Sequence, residues 1–184
     1  MKFSKTQKIA YISLLIALEV VMGRFAGIMT PIVSINFSFL PLVVNAIVFG
    51  PVSATVSAAI SDILGAFLFP QGLGIYFPGF TLSAALNGLT YGLLLHRKPL
   101  RLWRICIACF ITNILISLGL STYWVYMMTG KGFLALLPTR ILQNAIMLPI
   151  KIIVIKLVVY RVIPFVWKGA ILKHNSTKET TNIE

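Results

Sequence analysis

Apolar residues run along this chain in long blocks, broken by short polar or glycine-proline stretches. About 20 residues at 1.5 Å each is the length a helix needs to cross the hydrocarbon core of a bilayer. A short basic segment with Lys2, Lys5 and Lys8 precedes the first block, Ile9–Ile28. A brief loop with Pro31 leads to a second at Phe37–Phe49, and Gly50-Pro51 predicts a tight turn. The third, Val52–Leu68, is rich in Ala, Ser and Gly, which favours close helix packing. The fourth is Phe80–Leu95, and a basic connector, His96–Arg104, follows it. The fifth runs from Ile105 to Tyr123, extending as far as Met128. Thr129–Gly132 then turns the chain into a sixth, from Phe133 or Arg140 to Ile163. The pattern predicts an all-α bundle of six transmembrane helices.

Composition agrees. Of the 184 residues 58% are hydrophobic and only 11% charged, with a mean hydropathy of +0.94. Soluble domains carry about 25% charged residues, so a water-facing surface cannot be built here. The expectation is an integral membrane protein with one domain, residues 1–168, and a polar tail, 169–184. No short apolar segment with a small-residue cleavage site opens the sequence, so the first helix is expected to direct insertion. The net charge of +12 does not argue for nucleic acid, because the basic residues sit at helix ends and tails. With the N-terminus inside, the inner segments hold Lys2, Lys5, Lys8, Arg97, Lys98, Arg101, Arg104, Lys168, Lys173 and Lys178, while the outer loops hold Lys131 alone. That asymmetry predicts a multi-pass cell-membrane protein with both termini cytoplasmic.

Between the third and fourth blocks, Phe69–Tyr91 includes an uncharged stretch of glycines, prolines and aromatics, FPQGLGIYFPGF. Irregular backbone of this kind is costly against lipid, since its N–H and C=O groups lack partners there. It is expected to sit in protein at the outer rim, where it suits the binding of a flat organic ligand.

Ionisable residues within spans are expensive and are functional candidates by default. Counting along each helix places Glu19, Asp62 and Lys151 near mid-membrane, and Arg24 and Arg140 near the outer ends. Arg140, Asn144, Met147 and Lys151 share one helical face with Gln143 beside it; Ser83 or Ala84, Asn87 and Tyr91 share another. The two stripes describe an outward-opening cavity, with Tyr76, Phe77, Tyr123 and Trp124 near its mouth. Packing readings stand beside these. Glu19 or Asp62 could pair with Lys151 simply to fix the helices, the asparagines could bond between helices, and the arginines could snorkel to headgroups. Trp124 and Tyr126 could belong to an interfacial belt. Two arginines suit a ligand with carboxylates, and a deep carboxylate such as Asp62 suits a heterocycle with N–H donors. Together they favour a flat amino-heterocycle with an acidic tail.

Several chemistries are not encoded. Gly130-Lys131 is followed by Gly132, and Val125 stands where a phosphate loop needs glycine, so the chain has no route of its own to ATP hydrolysis. Cys106 and Cys109 lie in an apolar run without further ligands, which reads as helix packing. No metal, cofactor or catalytic cluster is expected.

Three segments carry a family resemblance: FPQGLGIYFPGFTLSAALNGLTYG (Phe69–Gly92), the preceding SAAISDILGAFLFP, and RILQNAIMLPIKIIV (Arg140–Val154). Here the chain resembles the folate-specific substrate-binding S components of energy-coupling factor (ECF) transporters. YFPGFTLSAAL is the most specific part, whereas SDILG is shared by S components for other vitamins. The resemblance implies capture of folate at the outer face, under the loops between spans 1 and 2 and between spans 3 and 4. It also implies inward delivery with a transmembrane coupling subunit and two cytoplasmic ATPases. Carried onto this chain, it points to a pocket of Arg24, Asn36, Asp62, Gly74, Tyr76, Phe77, Asn87, Tyr91, Trp124, Arg140, Gln143 and Asn144. The arginines would hold the glutamate tail, Asp62 and the asparagines the pterin edge, and the aromatics would stack on the rings. Docking to the coupling subunit would use Ala10, Ser13 and Ala17, a small-residue surface that lacks the family's usual pair of alanines. Other readings are an S component for thiamin or riboflavin, or a structural membrane subunit. A membrane enzyme should show clustered carboxylates or histidines at the cytoplasmic face, which this chain does not.

Overall fold

The computed structural model describes residues 4–25, 28–29, 34–69, 76–96, 102–130 and 137–159. The tail, 169–184, lies outside them, as do Gly74 and much of the loop around it. Helix α1 spans Lys5–Arg24, α2 Phe39–Phe49, α3 Pro51–Leu68 and α4 Pro78–Leu95. A fifth rod begins as α5, Leu102–Ile111, widens into a π-helical stretch, Thr112–Leu120, and ends as α6, Ser121–Thr129. The last helix, α7, is Leu137–Val159. Apart from a two-residue antiparallel ladder, Ile28–Met29 against Ser34–Ile35, the described chain is helical.

The all-α class expected from the pattern is therefore found, with six rods among the described residues. Four of them are long and apolar enough to cross a membrane: α1, α3, the fifth rod and α7. The other two are limited by length and polarity. At 11 residues α2 is short, and the 18 residues of α4 include Thr81, Ser83, Asn87 and Thr90. Helix α1 begins four residues earlier than the apolar block, because the backbone N–H of Ser4 finds Gln7 Oε1 at 3.2 Å and closes the first turn. The ladder and the π stretch were not expected from the pattern.

Turn chemistry explains how α2 doubles back on α3. Gly50 has φ +98°, a left-handed conformation that favours glycine, and Pro51 starts α3, where its missing N–H costs nothing. The antiparallel pair is clamped by Asn45, which is buried: its Nδ2 donates to Ser57 Oγ at 2.5 Å, and its Oδ1 accepts from Ser53 at 3.0 Å. His96, just past α4, meets the Ile47 carbonyl through Nδ1 at 3.0 Å and so engages an orphan carbonyl near the end of α2.

The closest helix pair is α3 with α4. A methyl group on Gly88 would lie 2.4 Å from the Ala54 carbonyl oxygen, and one on Gly92 2.2 Å from Pro51 Cα. Gly88-x-x-x-Gly92 thus lets the two backbones touch, as small residues do in membrane helices. Around this contact Val43, Ala46, Ala54, Ala58, Tyr91, Leu95, Ile105, Ala108 and Ile155 form the core. Outward, large apolar side chains are left uncovered: Val52 and Trp103 are each 75% exposed, and Phe67 69%. In water such faces would associate; in a bilayer they meet lipid.

Candidate functional site

Inside the bundle lie two adjoining hollows with a common wall of Glu19, Asn36, Ser38, Asp62 and Ala84. One, of about 360 Å³, opens between α1 and α3 and reaches Arg24, Ser61 and Gly65. The other, of about 320 Å³, lies between α2, α4, the π stretch and α7, and reaches Phe39, Asn87, Asn113, Gln143, Asn144 and Lys151. They are lobes of one polar cleft within an apolar molecule.

The α1–α3 lobe is built on a close approach. Gly65, one turn beyond Asp62 on α3, is where the Arg24 guanidinium rests; a Cβ there would meet Nε at 3.1 Å. Arg24 is thereby brought beside the Asp62 carboxylate, and Glu19, one turn deeper on α1, bonds Ser61. Asp62 Oδ2 accepts from Thr81 at 2.8 Å, and Thr81 Oγ1 lies 3.0 Å from the Tyr76 hydroxyl. Thr81 has a single proton, so Tyr76 donates to it. A relay from Tyr76 through Thr81 to Asp62 therefore joins the end of the glycine-proline loop to α4 and α3. The Tyr76 ring is stacked on Phe67, centroids 5.4 Å apart.

The second lobe is lined by carboxamides. Asn144 Nδ2 donates to the Arg140 carbonyl at 2.9 Å, leaving its Oδ1 as an acceptor. Asn87 lines the lobe with neither amide atom engaged among the described residues. Asn113 donates to the Asn144 carbonyl at 3.3 Å and accepts from Lys151 Nζ at 2.6 Å. Tyr91 also lines this lobe, but its hydroxyl is 3.1 Å from Thr112, whose proton goes to the Ala108 and Cys109 carbonyls; Tyr91 is thus the donor and contributes a ring face.

Of the residues singled out in the sequence, Arg24, Asn36, Asp62, Asn87, Tyr91, Gln143 and Asn144 come together in the walls. Tyr76, Phe77 and Trp124 stand just outside them. Trp124 lies on Gly79, 5.6 Å from Phe77, and its Nε1 donates to Ser83 at 3.1 Å, so this aromatic pair backs the lobe through Ser83. Arg140 meets the cleft only through Asn144, being half-buried one turn above it. Gly74 lies outside the described residues. The pairing of Glu19 or Asp62 with Lys151 is not what forms: the acids face Ser61, Thr81 and Arg24, and Lys151 faces Asn113. Missed from the sequence were Ser38, Ser61, Asn113 and Ser117. Asn113 and Ser117, four apart in an apolar run, were the one available signal. On α1, Ala10, Ser13 and Ala17 are all exposed, whereas Glu19 and Val20 nearer its C-terminal end are buried. No group of three metal-ligating side chains exists among the described residues.

Comparison with known proteins gives this cleft a context. The family model described as "ECF transporter, substrate-specific component" matches residues 7–159. A folate transporter FolT of Clostridium novyi (strain NT) is 40% identical over 151 residues, covering 82% of this chain and 87% of that protein. A FolT of Leuconostoc mesenteroides is 30% identical over 154 residues, with 80% and 81% covered. Among solved structures, a crystal structure of FolT bound with folic acid superposes with a TM-score of 0.77 at 34% identity, over 83% of this chain and 92% of that one. An S component of a bacterial ECF transporter shares the fold at a TM-score of 0.61 and 21% identity, over 89% and 99%. The chain belongs to the substrate-specific components of ECF transporters. It is a substrate-binding membrane subunit, not an enzyme.

Proposed function

We propose that this subunit captures folate from the outer face and delivers it inward, driven by a transmembrane coupling subunit and two cytoplasmic ATPases. The observation that carries the reading is a cleft in which the Asn87 amide and the Asn144 Oδ1 stand without hydrogen bonds among the described residues, in a chain similar to a FolT solved with folic acid. Asn87 offers a donor and an acceptor, Asn144 an acceptor, and Asp62 a carboxylate. That is the complement of a pterin edge, which mixes N–H donors with ring-nitrogen and carbonyl acceptors. Arg24 stands at the outer end of α1, where a glutamate tail would leave the cleft, and Arg140 above Asn144 is the second cation on that side. Phe39, Phe80 and Tyr91 supply the aromatic lining, and Phe77 and Trp124 back it through Ser83. Both termini are cytoplasmic in this reading, which follows from the basic inner segments. The exposed Ala10, Ser13 and Ala17 face is the docking surface for the coupling subunit.

Titration of the detergent-solubilised protein against a panel of vitamins tests the reading. Folate should bind and raise the melting temperature; thiamin and riboflavin should not. Binding of another vitamin with no response to any pteridine would overturn it. Arg24→Ala and Arg140→Ala should each weaken folate more than a pterin without the tail, and equal losses would remove their assigned role.

A further inference from the structure

Lys151 is the cation left unexplained by that reading. It lines the second lobe, part-buried, with Nζ 2.6 Å from Asn113 Oδ1 and 5.9 Å from the centroid of Phe39. No carboxylate lies within ion-pair distance of it among the described residues. The nearby acids are engaged elsewhere, Glu19 with Ser61 and Asp62 with Thr81. An ammonium has three donors. One goes to Asn113 and the ring of Phe39 faces the charge; no other hydrogen bond of this ammonium, which lines the lobe, occurs among the described residues. A ligand that fills the lobe displaces the water there, so it must offer acceptors to this ammonium or bear a desolvation penalty.

Asn113 is engaged by neighbouring residues through both ends of its amide. Its oxygen is given to Lys151 and its Nδ2 to the Asn144 carbonyl, and it is fully buried at the start of the π stretch. It fixes where the ammonium points. Depth decides which part of the ligand Lys151 meets. It lies 11 residues below Arg140 on α7, about 16 Å along the axis, too deep for a tail held at the arginines.

We infer that Lys151 is a specificity-determining residue that donates to the acceptor edge of the ligand's flat ring, and that Asn113 is its positioning residue. For a pteridine that edge is the 4-oxo oxygen with the adjacent ring nitrogen N5. This rests on the folate reading and deepens it.

The test uses the purified full-length chain with folate and with tail-less pterin. Wild-type protein that binds neither refutes the folate reading itself. Given binding, Lys151→Met should weaken both ligands by the same factor, at least tenfold, whereas Arg24→Ala weakens folate more. Asn113→Asp keeps the side-chain shape but offers Lys151 a carboxylate, and should also weaken both. Asn113→Leu with Lys151→Met removes the polar link altogether. If Lys151 only fixes helix packing, that double variant regains affinity along with melting temperature; on the inference it stays weak whatever its melting temperature. Lys151→Met or Asn113→Asp binding pterin within twofold of wild type, or a loss confined to folate, would overturn the inference.

Discussion

Asn87 and Gly65 show how a single position can carry binding without carrying the fold. The Asn87 amide makes no hydrogen bond among the described residues, yet it lines the cleft. Asn87→Ala should therefore leave the melting temperature of the ligand-free protein unchanged. It should cost about 1 kcal/mol of folate binding per lost hydrogen bond, a drop of about fivefold for one and about thirtyfold for both. A fall in the ligand-free melting temperature would mean that the amide is structural. At Gly65 a methyl group would press on the Arg24 guanidinium, the tip of a flexible side chain that can move aside. Gly65→Ala should then fold normally but bind folate more weakly, with tail-less pterin little affected. Calorimetric titration with both ligands separates these outcomes. At this scale the sequence revealed the cast but not the pairings. Glu19, Arg24, Asp62 and Lys151 are conspicuous as ionisable residues in apolar blocks. Which acid meets which cation depends on rotations of α1, α3 and α7 that no local pattern encodes.

Elements are held apart or together by a few small residues. Gly88 and Gly92 let α4 lie on α3 with backbone contact. Gly92→Ala would force a methyl group into Pro51, and overpacking of this kind costs about 1–3 kcal/mol. It should lower the melting temperature clearly. Gly119, in the π stretch, is a control, since an added Cβ would meet only the Ile114 carbonyl oxygen at an ordinary 3.6 Å. Gly119→Ala should melt like wild type; equal destabilisation of the two variants would refute the close-packing account. Apolar runs and turn residues made most elements readable: Gly50-Pro51 marks the α2–α3 turn, and α4 starts at Pro78, two residues before the Phe80 expected from the apolar block. The π stretch at Thr112–Leu120 was not readable, because its composition is that of any apolar helix. Widened turns of this sort recur at functional sites, and this one presents Asn113 and Ser117 to the cleft.

At the scale of the molecule, a polar cleft is enclosed by helices whose outer faces are apolar. Ligand that binds only the folded state stabilises it by mass action, about 2.7 kcal/mol at a hundred times its Kd. Saturating folate should therefore raise the melting temperature, and the Arg24→Ala protein should need more folate for the same rise. Orientation is checked separately. A single cysteine introduced at Lys131 of a Cys106→Ser/Cys109→Ser background should react with an impermeant thiol reagent added to intact cells. One introduced at Lys5 should react only after permeabilisation. The reverse pattern would invert the topology.

The amino-acid sequence by itself determined the solvent, the class of fold and the family. Apolar blocks of membrane length leave an all-helical bundle as the workable answer, and motifs such as YFPGFTLSAAL persist in the linear order of residues. Tertiary structure decided the site. Arg24 rests on Gly65 because α1 crosses α3 there, and Lys151 faces Asn113 because α7 lies against a widened turn. Tyr76 and Trp124 reach the cleft only through Thr81 and Ser83. Hydrophobicity fixes which stretches are buried and at what depth. The angle at which each helix presents its polar residues is set by close contacts between residues far apart in the chain.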